Sequence, residues 1–294
     1  MALLLGLLVG SFLNVVIHRV PIIEERSNRA FCTEMFGAGS APSSGAHGAH
    51  VHVPPADQPY NLVVPRSACP SCGTPIAAWH NIPVLSWVLL RGRCARCGAR
   101  ISPRYPLVEL LTGLLSAAVV YKFGLAWNTL GALVLTWYLI ALAAIDIDRH
   151  LLPVTLTDPL LCAGLIASLG WSIHTTASLP ASPWDAIAGA AGGYLSLWCV
   201  FHLFKLCTGK EGFGVGDFKL LAALGAWLGW RMLLPIVIGS AGLGTVVGLS
   251  LMVAKRHKKG EHLAFGPYLA AAGWLAMMWG PEWIAAYLGL YTID

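Results

Sequence analysis

Two acidic segments in the second half of the sequence carry residue types that can do proton chemistry. One, AIDIDRH, holds Asp146 and Asp148 at the end of an apolar run, and the other, EGFGVGD, ends in Asp217 at the start of another. Two carboxyl groups at one depth can share a proton, because like charges close together are costly to ionise at the same time. One can then act as a general base on water while the other protonates or polarises a carbonyl. The pattern predicts an aspartic protease whose reaction needs no metal.

Asp146 and Asp148 cannot both serve such a pair. Residues two apart on a helix point to nearly opposite sides, so only one of them can face Asp217. Helix geometry alone leaves the choice between the two open. The other carboxylate is then an interfacial group near Arg149.

Glycines alternate before the second aspartate, at positions 212, 214 and 216. Glycine permits close approach of another backbone, and an extended substrate strand could pair with such a segment. Gly214 and Gly216 are therefore predicted to bind substrate. The alternative is a plain loop before a helix, with Asp217 as its N-cap.

Four cysteines form a second chemical cluster. Cys69 and Cys72 make one CxxC pair, and Cys94 and Cys97 make another after 21 intervening residues. Two such pairs can place four thiolates around one Zn²⁺, which leaves no open position for catalysis. Two disulfides or a redox pair are the alternatives, and a reducing cytoplasmic loop disfavours the disulfides. We predict a structural zinc site in a small ribbon-like module.

The composition places most of the chain in lipid. Apolar residues make up 56% and charged residues 11%, with a mean hydropathy of +0.67, whereas soluble domains have about 25% charged residues. The net charge of +5 comes from residues in short loops, which fits the positive-inside rule better than nucleic-acid binding. We predict an all-α polytopic membrane protein that does not bind nucleic acid.

About eight transmembrane helices follow from the apolar pattern. With the N-terminus outside, the inner loops hold all but Lys122 and Arg231 of the 19 lysines and arginines. The short segment from Phe218 to Trp230 must then cross, with Trp227 and Trp230 near the far interface. The predicted segments are residues 2–18, 107–121, 125–145, 151–173, 184–204, 219–230, 233–254 and 263–280.

Three regions follow along the chain. We predict a first membrane helix over 1–20, a cytoplasmic loop with the cysteine module over 21–106, and a helical membrane peptidase domain over 107–294. A low-complexity, His-rich stretch of about 27–60 is predicted to be a flexible insert, because its composition cannot bury a core.

Other acidic residues have weaker assignments. Glu109, at the start of the second span, is predicted to support the site, to act in methyl transfer, or to pair with Arg104. Asp158 and Asp185 are placed nearer the outer side and are taken as unrelated to the reaction.

The chain resembles the bacterial type IV prepilin leader peptidases, which are bifunctional peptidase and N-methyltransferase enzymes. The resemblance is carried by GSFLNVVIHRVP, by CPSC…NIPVLSW…RGRCARCGARISPRYPLVELLTG, and by AIDIDRHLLP, GYLSLW, FKLCTGKEGFGVGDFKLLAALGAW and FGPYLAAAGW. These stretches cover nearly all of the chain outside the His-rich insert. Val154, where relatives often have an acidic residue, is one departure.

The resemblance implies a bacterial inner-membrane enzyme with its active site facing the cytoplasm. Such enzymes cut prepilins or pseudopilins after a glycine that ends a basic leader, and then methylate the new amine with S-adenosylmethionine. The first catalytic aspartate falls on Asp146 and the second on Asp217. Two other classes stay open, namely a proton-coupled transporter and a metal-dependent glycosyltransferase that uses Asp146 and Asp148.

Overall fold

The structure is a computed structural model that describes residues 1–36, 59–69, 71–77, 82–171, 181–209, 214–254 and 264–291. Within these ranges the regular structure is helical, and β pairing is limited to the isolated bridges of Ala68 with Pro75 and Arg93 with Arg100. The predicted all-α class is confirmed. The helices are α1 Ala2–Phe36, α2 Leu85–Leu89, α3 Arg104–Phe123, α4 Trp127–Arg149, α5 Val154–Trp171, α6 Pro183–Thr208, α7 Val215–Leu228, a 3-10 turn Trp230–Met232, α8 Leu233–Val253 and α9 Gly266–Tyr291.

Every predicted apolar segment coincides with one of the long helices, α1 or α3 to α9. Among the described residues, five helical stretches are long and apolar enough to cross a membrane. They are Ala2–Phe36, Arg104–Phe123, Thr129–Arg149, Pro183–Thr208 and Trp230–Val253. The chain is therefore a multi-pass membrane protein.

The first helix is longer than the sequence indicates. It continues to Phe36, although its predicted end lies near residue 20 and a flexible insert is predicted from residue 27. Residues 22–36 contain no glycine or proline, and Glu25 and Arg29 form an ion pair one turn apart, which favours a continuous helix. Residues 27–36 of the predicted insert are therefore helical. The rest of the insert, with His47, His50 and His52, lies outside the described residues.

The chain divides into two compact units, Met1–Tyr121 and Lys122–Asp294. This division falls in the last turn of α3, whereas the predicted regions divide in its first turn. In the first unit, α1 and α3 approach closely at small residues. A Cβ on Gly6 would lie 2.8 Å from Gly113 Cα, and one on Gly10 would lie 2.7 Å from Glu109 Cα. Small residues at such crossings are typical of membrane helix pairs.

The same unit ties α1 to the loop that precedes the cysteine module. The buried Arg19 guanidinium donates hydrogen bonds to the carbonyls of Asn61 at 2.7 Å and Pro65 at 2.5 Å, and it lies over the Tyr60 ring. A buried guanidinium needs such acceptors. These contacts fix the direction in which the chain approaches the first CxxC pair.

The second unit is built around α7. This helix packs against α5, α6 and α9, and its residues from Asp217 to Leu228 are buried except for Lys219. Because protein surrounds α7, it needs no lipid-facing stripe, and its 14 residues span about 21 Å. Trp227 is 4% exposed and donates to the Leu160 carbonyl at 2.9 Å. Its side chain therefore packs against neighbouring helices, near the end of α7 that is opposite Asp217.

The two ends of α7 meet different sets of helix ends. At its start, Lys219 Nζ lies 2.9 and 3.1 Å from the carboxylate oxygens of Asp158, which is near the start of α5. At its far end, Trp230 Nε1 donates to Asp185 at the start of α6, at 3.0 Å. Asp185 thus lies at the end opposite Asp217. Asp158 lies at the same end as Asp217, and its predicted place nearer the outer side is wrong.

The crossing of α6 and α7 depends on glycine. A Cβ on Gly189 would collide with the Gly225 carbonyl, and one on Gly193 would lie 2.6 Å from the Leu221 carbonyl oxygen. The two backbones therefore meet directly along one face of α6.

We expect Gly189→Ala to lower the free energy of unfolding by about 1–3 kcal/mol, the usual range for overpacking. The midpoint of thermal unfolding of the purified protein in detergent measures this. Gly242→Ala is the matched control, because a Cβ there meets nothing within 4 Å. Equal midpoints for the two variants would contradict the close crossing.

Candidate active site

Asp146 lies in the last turn of α4 and is 5% exposed. The helix ends at His150, whose left-handed backbone (φ 53°) lets its N–H bond the Asp146 carbonyl at 2.8 Å, a common way for a helix to stop. The side-chain Oδ2 of Asp146 accepts a hydrogen bond from the Gly266 N–H at 2.9 Å. The carboxyl group therefore points inward, towards the first residue of α9.

Asp217 occupies the third position of α7 and is 7% exposed. Gly214 is the N-cap residue, and its N–H donates to Asp217 Oδ2 at 3.2 Å. An acidic side chain at the third position that reaches back to the N-cap amide is half of a capping box. The structure thus places Asp217 three residues after the N-cap residue. The alternative drawn from the sequence, in which Asp217 is the N-cap residue itself, is wrong.

The segments that carry the two carboxyl groups are brought together through the start of α9, which bonds Asp146, and through Leu152. Leu152, in the turn after α4, packs between the start of α7, which carries Asp217, and the start of α9, which bonds Asp146. A Cβ on Gly216 would lie 2.6 Å from Leu152 Cβ, and one on Gly266 would lie 3.3 Å from Leu152 Cδ1. Leu152 therefore lies against the starts of both α7 and α9.

Asp148 is exposed and lies on a different side of α4 from Asp146. Burial therefore distinguishes two residues that helix periodicity alone leaves equivalent. Only Asp146 shares the buried site with Asp217.

An ion pair beside the site was missed by the sequence reasoning. Lys219, two residues after Asp217, bonds Asp158 of α5. The pair links the second turns of α5 and α7, at the end of α7 that carries Asp217. The sequence did contain a signal for this position of Asp158. A helix that begins after LLP starts at Val154, and Asp158 is only four residues further on, within its first two turns.

The glycines before Asp217 differ in their surroundings. Gly214 and Val215 are exposed, and a Cβ on Gly214 would meet only ordinary contacts, the nearest being Asp217 Oδ2 at 3.6 Å. Gly216 is needed for packing, since Leu152 occupies the space that a side chain would fill. Gly212 lies outside the described residues.

The four predicted metal ligands cluster in the first unit. The Sγ atoms of Cys69, Cys72, Cys94 and Cys97 all lie within 4.8 Å of one another, and Cys69 Sγ is 3.8 Å from Cys97 Sγ. In a tetrahedral Zn–S₄ site with bonds of about 2.3 Å, sulfur atoms are about 3.8 Å apart. A disulfide would need about 2.05 Å. The donor set and its spacing fit zinc.

Both CxxC turns have the same backbone pattern. The Cys69 N–H bonds the Thr74 carbonyl and the Gly73 N–H bonds the Cys69 carbonyl, at 3.0 and 2.9 Å. The second turn repeats this with Cys94, Ala99 and Gly98, at 2.8 and 3.0 Å. Gly73 and Gly98 both have left-handed backbones, which glycine adopts readily.

Hydrogen bonds favour the thiolate form at two of these cysteines. Those with the side chain and then the backbone of Thr74 lower the pKa of Cys72 to about 6. The backbone N–H of Cys97, followed by that of Arg96, lowers the pKa of Cys94. At Cys97 the backbone N–H of Ala99 lowers the pKa, but burial and hydrogen bonds with the other three thiols raise it to about 11 overall. Metal binding requires the thiolate, so it must displace a proton from Cys97.

Glu109 is buried in α3, and its Oε2 accepts a hydrogen bond from the Val84 N–H at 2.8 Å. Val84 has φ 58°, which is strained for a β-branched residue. The carboxylate therefore holds a strained point of the loop just before α2. This contact supports a structural role for Glu109 within the first unit.

Fold and site together define a multi-pass helical membrane protein with a buried pair of aspartates and a separate four-cysteine cluster. Residues 4–123 match the Bacterial Peptidase A24 N-terminal domain, and residues 133–249 match the Type IV leader peptidase family. The chain belongs to this family of membrane peptidases.

Three relatives are named prepilin leader peptidase/N-methyltransferase. The one from Aeromonas hydrophila is 50% identical, over 97% of this chain and 92% of the relative. The one from Pseudomonas aeruginosa is 48% identical over 97% and 92%, and the one from Neisseria gonorrhoeae is 46% identical over 94% and 88%. No solved structure matches the chain.

Proposed function

We propose that this protein cleaves the leader peptides of type IV prepilins or pseudopilins and N-methylates the new N-terminus. The observation that carries the peptidase half is the buried pair of Asp146 and Asp217, each with one oxygen held by a backbone N–H. Such a pair has the residue types and the fixed geometry that water activation requires. The methyltransferase half rests on the close similarity to relatives that are named for both activities.

The reaction proceeds through a shared proton. The ionised carboxylate of the pair takes a proton from water, whose oxygen bonds to the carbonyl carbon of the glycine that ends the leader. The protonated carboxyl gives its proton to the carbonyl oxygen. As the carbon–nitrogen bond breaks, the leaving amine takes the proton that came from water. The other proton returns to its carboxylate as the carbonyl re-forms, which restores the pair.

Gly214 and Gly216 are proposed to receive the substrate backbone. Gly214 and the neighbouring Val215 are exposed at the start of α7, three and two residues before Asp217. An extended leader can lie along this segment and reach the carboxyl pair. Gly216 contributes by letting Leu152 pack beneath the segment.

The membrane arrangement follows from charge and from the helix ends. We propose eight crossings, with the N-terminus outside and the carboxyl pair at the cytoplasmic face of a bacterial inner membrane. The meeting of Lys219 with Asp158 at one end of α7, and of Trp230 with Asp185 at the other, supports a crossing by this short helix. The substrates and the lipid bilayer are the proposed partners.

The loop of residues 21–106 is proposed to form a cytoplasmic segment folded around Zn²⁺, and residues 107–294 a membrane peptidase domain. Cys69, Cys72, Cys94 and Cys97 would bind the ion, which would link the two CxxC turns. With four protein ligands the ion supplies folding energy and no open coordination position.

S-adenosylmethionine is the proposed methyl donor, and when bound it supplies an electrophilic methyl group to the new amine. The described residues contain no strand followed by a Gly-rich loop and a helix, so the nucleotide-binding motif of Rossmann folds does not fit them.

Incubation of the purified protein with a synthetic leader peptide and labelled S-adenosylmethionine tests the proposal. We expect cleavage after the leader glycine, followed by label on the new N-terminus. Cleavage should continue with a magnesium or manganese chelator while the zinc stays bound, because the carboxyl pair needs no metal. An intact leader peptide, or sugar transfer that depends on a divalent ion, would contradict the peptidase assignment.

A further inference from the structure

We propose that Gly266, the first residue of α9, is a positioning residue for the peptidase reaction, because its N–H and its lack of a side chain together hold the Asp146 carboxyl in place. This inference rests on the proposed function. It adds a third segment, remote in sequence from both aspartates, to the elements that set the geometry of the pair.

The first observation is how the amides at the start of α9 are used. The Phe265 carbonyl accepts hydrogen bonds from the N–H groups of Tyr268 and Leu269, both at 3.1 Å. Pro267 has no N–H. The Gly266 N–H is thus the amide of this first turn that points to a side chain, and Asp146 Oδ2 accepts it at 2.9 Å in a buried setting. The first amides of a helix have no partner within it, so Asp146 supplies one.

The second observation concerns space. A Cβ on Gly266 would lie 2.6 Å from Asp146 Oδ2 and 3.1 Å from Asp146 Cγ. Real Cβ atoms do not approach other atoms so closely, so any side chain here must move the carboxyl or the helix. Glycine is required because the catalytic carboxyl occupies the place of its side chain.

The third observation is that Asp217 is held in a similar way. Its Oδ2 accepts the Gly214 N–H at the start of α7, as Asp146 Oδ2 accepts the Gly266 N–H at the start of α9. In the part of the chain that the structure describes, Oδ1 of each carboxyl accepts no hydrogen bond from the protein. Each aspartate therefore has one oxygen that is fixed and one that can reach water or the scissile carbonyl.

Gly266→Ala tests the proposal. We expect kcat for leader cleavage to fall by about 10²-fold, the effect of misplacing a catalytic group by about 1 Å. KM for the leader peptide should stay the same, because the N–H of Gly266 is already bonded to Asp146 and glycine has no side chain to offer the substrate. Gly242→Ala, on α8 and in open space, is the matched control for adding a methyl group to a helical glycine.

A second variant separates positioning from crowding. The added Cβ would also lie 3.3 Å from Leu152 Cδ1, and Leu152→Ala removes that atom. If Gly266→Ala acts by displacing Asp146, it lowers kcat by the same factor in the Leu152→Ala background as in the unsubstituted protein. A clearly smaller factor in that background would assign the effect to packing against Leu152 and overturn the proposal.

N-methylation of a peptide that already lacks its leader measures whether the variant is otherwise folded and active. We expect Gly266→Ala to keep this activity and its thermal midpoint close to those of Gly242→Ala. Loss of methylation in both the single and the double variant, a rise in KM that accounts for the effect, or an unchanged kcat would each overturn the proposal. Failure of the proposed function is distinguishable, because the unsubstituted protein would then leave the leader intact.

Discussion

Asp146→Asn and Asp217→Asn are each expected to abolish leader cleavage, with kcat lower by about 10²–10⁴-fold or more. An amide can neither take a proton from water nor give one to the carbonyl. Both side chains are buried, so neither loss is compensated by solvent. Cleavage of a synthetic leader peptide, followed by mass spectrometry, measures the effect.

Asp148→Asn is the matched control, because it makes the same chemical change two residues away on the exposed side of α4. We expect this variant to retain most of the activity. All three variants should still insert in the membrane and methylate a peptide without its leader. Full cleavage by Asp146→Asn or Asp217→Asn would rule out the carboxyl pair. Loss of cleavage only in Asp148→Asn would place the site on the other side of α4.

Removal of the metal is expected to have the second large effect. The double variant Cys69→Ser/Cys72→Ser should lose the bound zinc, which we expect at about one ion per chain in the unsubstituted protein. In small metal-folded modules the ion supplies about 10–16 kcal/mol of folding free energy. The loop should therefore unfold locally. Zinc content by elemental analysis and trypsin cleavage of the loop measure both consequences.

The loop is well suited to such a trypsin assay. Arg91, Arg93, Arg96 and Arg100 are exposed around the second CxxC pair, and a folded backbone protects such sites from cleavage. Cys162→Ser/Cys199→Ser, which changes two exposed cysteines on α5 and α6, is the matched control and should keep both zinc and protection. Disulfides among the four loop cysteines in place of a metal ion would contradict the zinc assignment.

Much of the architecture is determined by local sequence. The long apolar segments predict helices because a chain in lipid must satisfy its backbone groups internally, and α1 and α3 to α9 coincide with them. The paired CxxC segments likewise predict a four-thiol cluster, since each pair needs only a tight turn. The family is also readable from the sequence, because its motifs are contiguous.

Other features depend on which face of each element packs against which neighbour. Asp146 is buried and Asp148 is exposed, although helical periodicity in the sequence does not distinguish them. Trp227 resembles an interfacial tryptophan in sequence, yet it lies inside the bundle because α7 is surrounded by protein. The length of α1 was partly readable from the sequence, because residues 22–36 contain no glycine or proline.

The buried carboxyl pair shows the same division. Sequence alone determined that acidic side chains stand at the ends of apolar segments, where proton chemistry is possible, because the cost of burying charge restricts such residues to special positions. Only the tertiary structure decided that Gly266, 120 residues after Asp146, supplies its amide, and that Leu152 separates the starts of α7 and α9. These contacts join segments far apart in the chain, so they arise from packing and have no signature in local composition or spacing.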